Sequence, residues 1–309
     1  MHDLCQGIQE PSQERGRPRA SMRDMVFSAA FKVYSTVSGR RFQCDLDEAC
    51  KRGHIGKSPR YNTVFKYLEN PALTPILQAM IAESAKPLKS IEIDFAVDSS
   101  GFATSRFVRW FDHKYGCPRV EYDWVKISIM TGVKTNVVTA VIVDEKKGGD
   151  CPQFAPLVKA TAKDFTIREI SADAAYLSYE NMDLVAECGG TPYIAFKSNT
   201  TGGAGGMLAK MFHLYNLNRA DYLGHYHKRS NIETTFSMIK AKFRDGLSSK
   251  TDVAMVNESL CKILCHNVCC LIQSQYELGV ETTFWGERVS AALLVEVDSD
   301  EMTEAWAWV

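Results

Sequence analysis

The segment "HYHKRSNIETTFSMIKAKF", residues 225–243, holds the phenol of Tyr226, the guanidinium of Arg229, the carboxylate of Glu233 and the ammonium of Lys240, at gaps of three, four and seven residues. On an α-helix these four fall within about 60° of arc. Ile232, Phe236, Ile239 and Phe243 form an apolar stripe beside them rather than opposite. A polar stripe that borders the buried face fits the edge of a groove. Glu233 could hold a metal there. Arg229 could grip a phosphate by its planar fork, and Lys240 could do so as a point charge. Tyr226 could donate to a phosphate or stack on a base. The competing reading is an exposed helix carrying i, i+4 ion pairs such as Arg229 with Glu233.

Two further acids extend the chemistry. Asp98 ends the alternating run "SIEIDFAVDSSGF", and Asp173 ends "TIREISAD". Strand ends in open α/β sheets are where sites form. Three carboxylates brought together there repel one another unless a divalent cation lies between them. Mg²⁺ takes hard oxygen ligands and keeps positions open for water and phosphate. A pair of such ions activates a water or hydroxyl and steadies the leaving oxygen of a phosphodiester. The pattern therefore points to metal-assisted chemistry on nucleic acid. The alternative for Asp98 and Asp173 is the ordinary use of aspartate as a turn starter. Asp94, Asp144, Asp150, Asp164 and Asp183 compete for the same roles.

The elements that must position these residues follow from periodicity. Residues 21–86 read as short helices: Ser21 is a candidate N-cap, and Gly39, Gly53 and Asn70–Pro71 are stops. Basic residues at the turns suit either a helix-turn-helix-like DNA module or a plain helical cap. From residue 90 the period becomes two. Ile91, Ile93, Phe95 and Val97 alternate with Glu92, Asp94, Ala96 and Asp98, and Ser99-Ser100-Gly101 reads as the turn. "VKISIMTG" and "NVVTAVIV" read as a hairpin. A helix, a strand to Asp173, a helix, the strand "PYIAF" and two helices near 206–217 and 222–244 follow. A long helix spans about 252–277. The order β-β-β-α-β-α-β-α predicts an α/β fold, a mixed sheet with helices on its faces.

Composition is that of a globular chain: 309 residues, 45% hydrophobic, 24% charged, net charge −1. No residue run suggests a membrane span or a signal peptide, so the expected compartment is the cytoplasm. Ten cysteines at irregular positions read as reduced thiols. Charge is uneven: residues 1–70 carry twelve Lys/Arg against eight Asp/Glu, and residues 281–309 carry one against seven. The expected organisation is a flexible basic arm over 1–20, a helical DNA-binding region over 21–88, a catalytic domain over 89–280 and an acidic tail over 281–309. Arg17 and Arg19 in "RGRPRAS" are candidate DNA contacts in the arm.

The run Y-x-x-R-x-x-x-E-x-x-x-x-x-x-K, ungapped from Tyr226 to Lys240, resembles the signature of bacterial insertion-sequence DDE transposases of the IS-four and IS-five group. "VDSSGF", "ADAAY" and "NESLCKILCHN" look alike too, and the resemblance covers roughly residues 17–280. It implies an RNase H-like fold and a two-metal site in which Asp98, Asp173 and Glu233 hold Mg²⁺, with Mn²⁺ as a substitute. Tyr226, Arg229 and Lys240 match positions that contact DNA at the transposon end. A homodimer that pairs two ends is implied as well. Only 59 residues separate Asp173 from Glu233, so the β-rich insertion of some relatives is expected to be absent.

Other constellations carry less. Cys261, Cys265 and Cys269 lie on one helical stripe, but structural zinc draws ligands from two pieces of chain, and a core role is expected. "TTGGAGG" lacks the lysine of a phosphate-binding loop and reads as a linker. Two rival functions stand beside the transposase: a nuclease of the same fold that cuts without joining, and a DNA-binding derivative without chemistry.

Overall fold

The computed structural model describes residues 1–12, 16, 19–104, 124–144 and 148–286. Five helices come first: α1 (His2–Cys5), α2 (Met22–Ser35), α3 (Gly39–Lys51), α4 (Tyr61–Leu68) and α5 (Leu73–Ala85). The expected cap is present, since the Ser21 side chain accepts the Asp24 N–H. The strands β1 (Asp94–Ala103), β2 (Trp124–Gly132) and β3 (Val138–Asp144) follow, then α6 (Cys151–Ala162), β4 (Glu169–Ala172), α7 (Tyr179–Glu187) and β5 (Thr191–Ile194). The chain continues through α8 (Gly206–Leu217), α9 (Arg219–Tyr226), α10 (Ser230–Phe243) and α11 (Asp252–Leu278).

The sheet order is β3-β2-β1-β4-β5. β1 pairs antiparallel with β2, and β2 with β3, while β1, β4 and β5 run parallel. This is the RNase H-like mixed sheet expected. The centre of β1 is apolar on both faces. Ala96 and Phe102 pack with the N-terminal helices, α10 and α11, whereas Phe95 and Val97 pack with α6, α7 and α8.

The expected turn at residues 99–101 does not form. β2 supplies antiparallel hydrogen bonds as far as Ala103, and the strand runs on. The parallel partner β4 stops earlier, its last pair being Val97 with Ala172. Asp98 is thus the residue at which β1 loses one neighbour while keeping the other.

The expected helix over 222–244 is divided. α9 starts early because the Asn218 side chain caps it by accepting the Asp221 N–H. A 3₁₀ turn, His227–Arg229, then joins α9 to α10. Tyr226 (φ −57°, ψ −40°) and Arg229 (φ −53°, ψ −33°) keep right-handed helical angles, so the path continues on the same side.

Residues 1–8 are not an arm. Leu4, Cys5 and Ile8 are at most 3% exposed within the helical core. Nor does the acidic tail begin free at 281. The Trp285 backbone N–H donates to Glu83 and its indole N–H to the Leu4 carbonyl, which fastens this segment to α5 and α1. The rest of that tail, 287–309, lies outside the described residues. Residues 21–88 are not a separate unit either, because α2, α4 and α5 share one core with the sheet and α11.

α11 joins these layers through buried polar side chains. Asn257 donates to the carbonyls of Leu68 and Asn70. Asn267 accepts from the Val138 N–H and donates to the carbonyls of Val138 and Ile81. His266 bonds the Asn136 carbonyl. By length and composition alone this helix is apolar enough to cross a bilayer, but 78% of that stretch is buried inside the protein. Cys261 and Cys265 are buried in its core-facing surface, as expected.

Candidate active site

Alternation along β1 puts Asp94, Ala96, Asp98 and Ser100 on one face of the sheet. The register with β4 sets Glu169 beside Asp94 and Ser171 beside Ala96, and Asp173 follows directly after the strand. Two pairs of acids therefore line this face, one at the start of β1 and β4 and one where β4 ends. The 3₁₀ turn and α10 lie over them.

Arg229 is the centre of the second pair. Its guanidinium donates to Asp98 Oδ2 at 3.0 Å and to Glu233 Oε1 at 2.7 Å. The Asp98 carboxyl is held above the ordinary carboxylate range. Burial is the main cause, and the negative charges of Asp173 and Glu233 add to it, against the Ser99 N–H and Arg229. Asp173 and Glu233 are thus both within electrostatic reach of Asp98. Burial also works against the charge of Arg229 but is outweighed by Tyr226, Asp98, Glu233 and Asp173. Asp173 is exposed, and its side chain caps the next turn by accepting the Ala174 N–H. Lys240, seven residues beyond Glu233, donates to Ser100 Oγ at 2.7 Å and lies over the Phe102 ring. Burial holds its ammonium below the usual lysine pKa.

Of the residues expected in a site, the fold brings together Asp98, Asp173, Tyr226, Arg229 and Glu233, with Lys240 on the same face. The ion pair of the exposed-helix reading, Arg229 with Glu233, is present as well, and Arg229 extends it to Asp98 on the sheet. Arg19 is exposed near the start of α2, where its charge acts on Tyr67. Arg17 lies outside the described residues. The competing aspartates have other partners. Asp150 pairs with Lys126, Asp164 with Lys86, and Asp183 accepts the Met207 N–H at the start of α8.

The donor chemistry suits a divalent cation: three carboxylates press on one another around a single positive group. Among the described residues no three His, Cys, Asp or Glu side chains converge as a metal-binding group. The Arg229 fork holds that position between Asp98 and Glu233.

Lys228 is a residue that sequence reasoning missed. Its ammonium bonds both Asp94 and Glu169, whose side chains are 5% and 7% exposed. Arg168 makes a two-pronged bond to Asp94, and His225 reaches Glu169 while stacking on Tyr193. Two residues of the turn His227–Arg229 therefore hold it to the sheet, Lys228 to the first acid pair and Arg229 to Asp98 of the second. The available signal was that Asp94 and Glu169 fall at inward positions of buried strands, where a charge needs a partner.

Residues 174–232 hold only helices, turns and β5, without the β-rich insertion. The chain is similar to piggyBac transposase as seen in a cryo-EM synaptic complex with hairpin DNA, at TM-score 0.43 and 10% sequence identity, over 98% of this chain and 80% of that one. No curated protein sequence matches it. Residues 89–268, more than half of the 309, match the family model described as a transposase DDE domain, and the chain belongs to that family.

Proposed function

We propose that this protein is a DNA transposase of the kind found in bacterial insertion sequences of the IS-four and IS-five group. The observation that carries the reading is that Arg229 bonds both Asp98 and Glu233 while the charge of Asp173 acts on the same pair, with Lys240 on the same face.

Asp98, Asp173 and Glu233 would hold two Mg²⁺ ions, or Mn²⁺ in their place. Bound there, the metal would lower the pKa of the attacking water and offset charge on the leaving oxygen. The protein's own residues position the DNA. Arg229 exchanges its carboxylate partners for a backbone phosphate. Lys240, held by Ser100 and with its ammonium weakly solvated, gains from a phosphate partner. Tyr226 borders the same groove. Water attacks the phosphodiester at a transposon end, and the freed 3′-hydroxyl then attacks target DNA in line. No covalent protein–DNA intermediate is required. The helices of residues 21–88 recognise the terminal inverted repeats, and two copies pair two ends.

The test is strand cleavage and joining on a plasmid carrying the gene's own flanks, with Mg²⁺ or EDTA, for wild type and Glu233→Gln. Metal-dependent cuts at the flank ends with joined products, both lost in the variant, support the transposase. Cutting without joining identifies a nuclease. Specific binding without cutting identifies an inactive DNA-binding derivative.

A further inference from the structure

A cavity of about 380 Å³, lined by none of the three carboxylates, lies where the end of α2 and the start of α3 meet the loop that follows α10. Lys32, Arg244 and Lys250 line it. Among the described residues no carboxylate lies within ion-pair distance of any of the three. Lys32 is half-buried, and burial holds its ammonium below the usual lysine pKa against the attraction of Glu258, with repulsion from Arg244 adding to the effect of burial. Of the two acids on the wall, Glu258 is already used, accepting the N–H groups of Ser248 and Ser249, and only Glu69 remains. The wall is rigid. Buried Lys262 donates to the carbonyls of Arg244 and Gly246, and the Leu247 N–H bonds the Ala103 carbonyl at the end of β1.

Arg244 has φ +69° and ψ 152°. That region is essentially restricted to glycine, and a residue held there marks a place where the surroundings enforce strain. Here the strained residue lines the same cavity as Lys32 and Lys250.

We propose that this cavity is a binding site for a DNA backbone phosphate, gripped by Lys32, Arg244 and Lys250. The proposal rests on the transposase reading. Arg244 follows Glu233 by eleven residues, or about 16 Å at the rise of an α-helix. DNA lying along α10 advances about 3.4 Å per nucleotide of one strand. The gripped phosphate is therefore about five nucleotides from the bond cleaved at the carboxylates. The site gives the N-terminal helices and the catalytic face a shared hold on one duplex.

Arg244→Gly separates this role from a structural one. Glycine relaxes the backbone, so the variant melts at or above the wild-type temperature. DNA affinity falls nonetheless, and the slope of log K against log salt falls by about 0.9 for each phosphate that is no longer neutralised. Lys32→Gln lowers the slope in the same way. Neutral methylphosphonates walked along the flank-end duplex weaken wild-type binding most at about five nucleotides from the cut, and that peak disappears in Arg244→Gly. Variants that keep the wild-type slope and peak overturn the proposal. If wild type binds no DNA, the functional reading fails separately, and the cavity is then probed with inorganic phosphate. Broadening of the ³¹P signal by wild type, absent with Arg244→Gly, sustains an anion site; no broadening refutes it.

Discussion

Replacing Lys228 by methionine tests whether the turn before Glu233 is held by charge. The ammonium bridges Asp94 and Glu169, both nearly inaccessible. Removing one partner of a buried ion pair costs about 3–5 kcal/mol when nothing compensates. Here Arg168 still reaches Asp94 and His225 still reaches Glu169. Lys228 is itself 29% exposed, so water screens part of its charge. The loss comes to about 1–3 kcal/mol, which lowers Tm by roughly 2–10 °C in a domain of this size. The sign with pH follows from Asp94. Burial pushes its carboxyl up, but hydrogen bonds from Arg168 and Lys228 outweigh burial and hold it below the ordinary range. A depressed carboxylate contributes fully above its unfolded pKa of about 4 and loses that contribution as pH falls through the folded value. The Lys228→Met deficit is therefore complete at neutral pH and narrows in acid. Thermal melts across that range measure it, and single-turnover cleavage reports the positioning role. The variant cleaves more slowly with little change in DNA affinity, and Lys228→Arg restores much of the rate. A variant with wild-type Tm at neutral pH, or a deficit independent of pH, refutes the account.

Three further outcomes are expected. The raised Asp98 carboxyl penalises the native state once pH exceeds the ordinary carboxylate value; Asp98→Asn accordingly melts higher than wild type at neutral pH in EDTA, and the gain fades in acid. Asn267→Ala removes the side-chain partner of the Val138 N–H and of the Val138 and Ile81 carbonyls, at a cost of about 2–4 kcal/mol read from the urea midpoint. In a native thiol titration exposed Cys44 reacts ahead of the other cysteines among the described residues, while Cys5, its thiol pushed up to about 12 by burial, and buried Cys261 and Cys265 react only on unfolding.

Much of this architecture is legible in the chain because it rests on local pattern. Alternation locates β1, β2 and β3, and the spacing of Tyr226, Arg229, Glu233 and Lys240 survives the break at His227–Arg229 because that break keeps helical angles. What pattern misses is partnership at a distance. Alternation shows where Asp98 points but not that β2 outlasts β4 beside it. Lys228 looks like one more basic residue until strands 59 and 134 residues earlier place Glu169 and Asp94 beneath it. Residues 1–8 read as an arm because what covers them includes Trp285, 281 residues from Leu4.

The buried bonds of α11 bear on how the protein is made. Asn257 and Asn267 reach groups on α4, its following turn and α5 that lie 183 to 189 residues earlier. At about 5–20 residues per second, a nascent chain waits roughly 10–40 s between making those groups and making their partners. During that interval the N-terminal helices and the sheet present apolar surface that α10 and α11 later cover. Such long loops are slow to close, and the waiting chain is open to chaperones and proteases. A chain truncated anywhere before residue 252 lacks α11 and cannot complete this core.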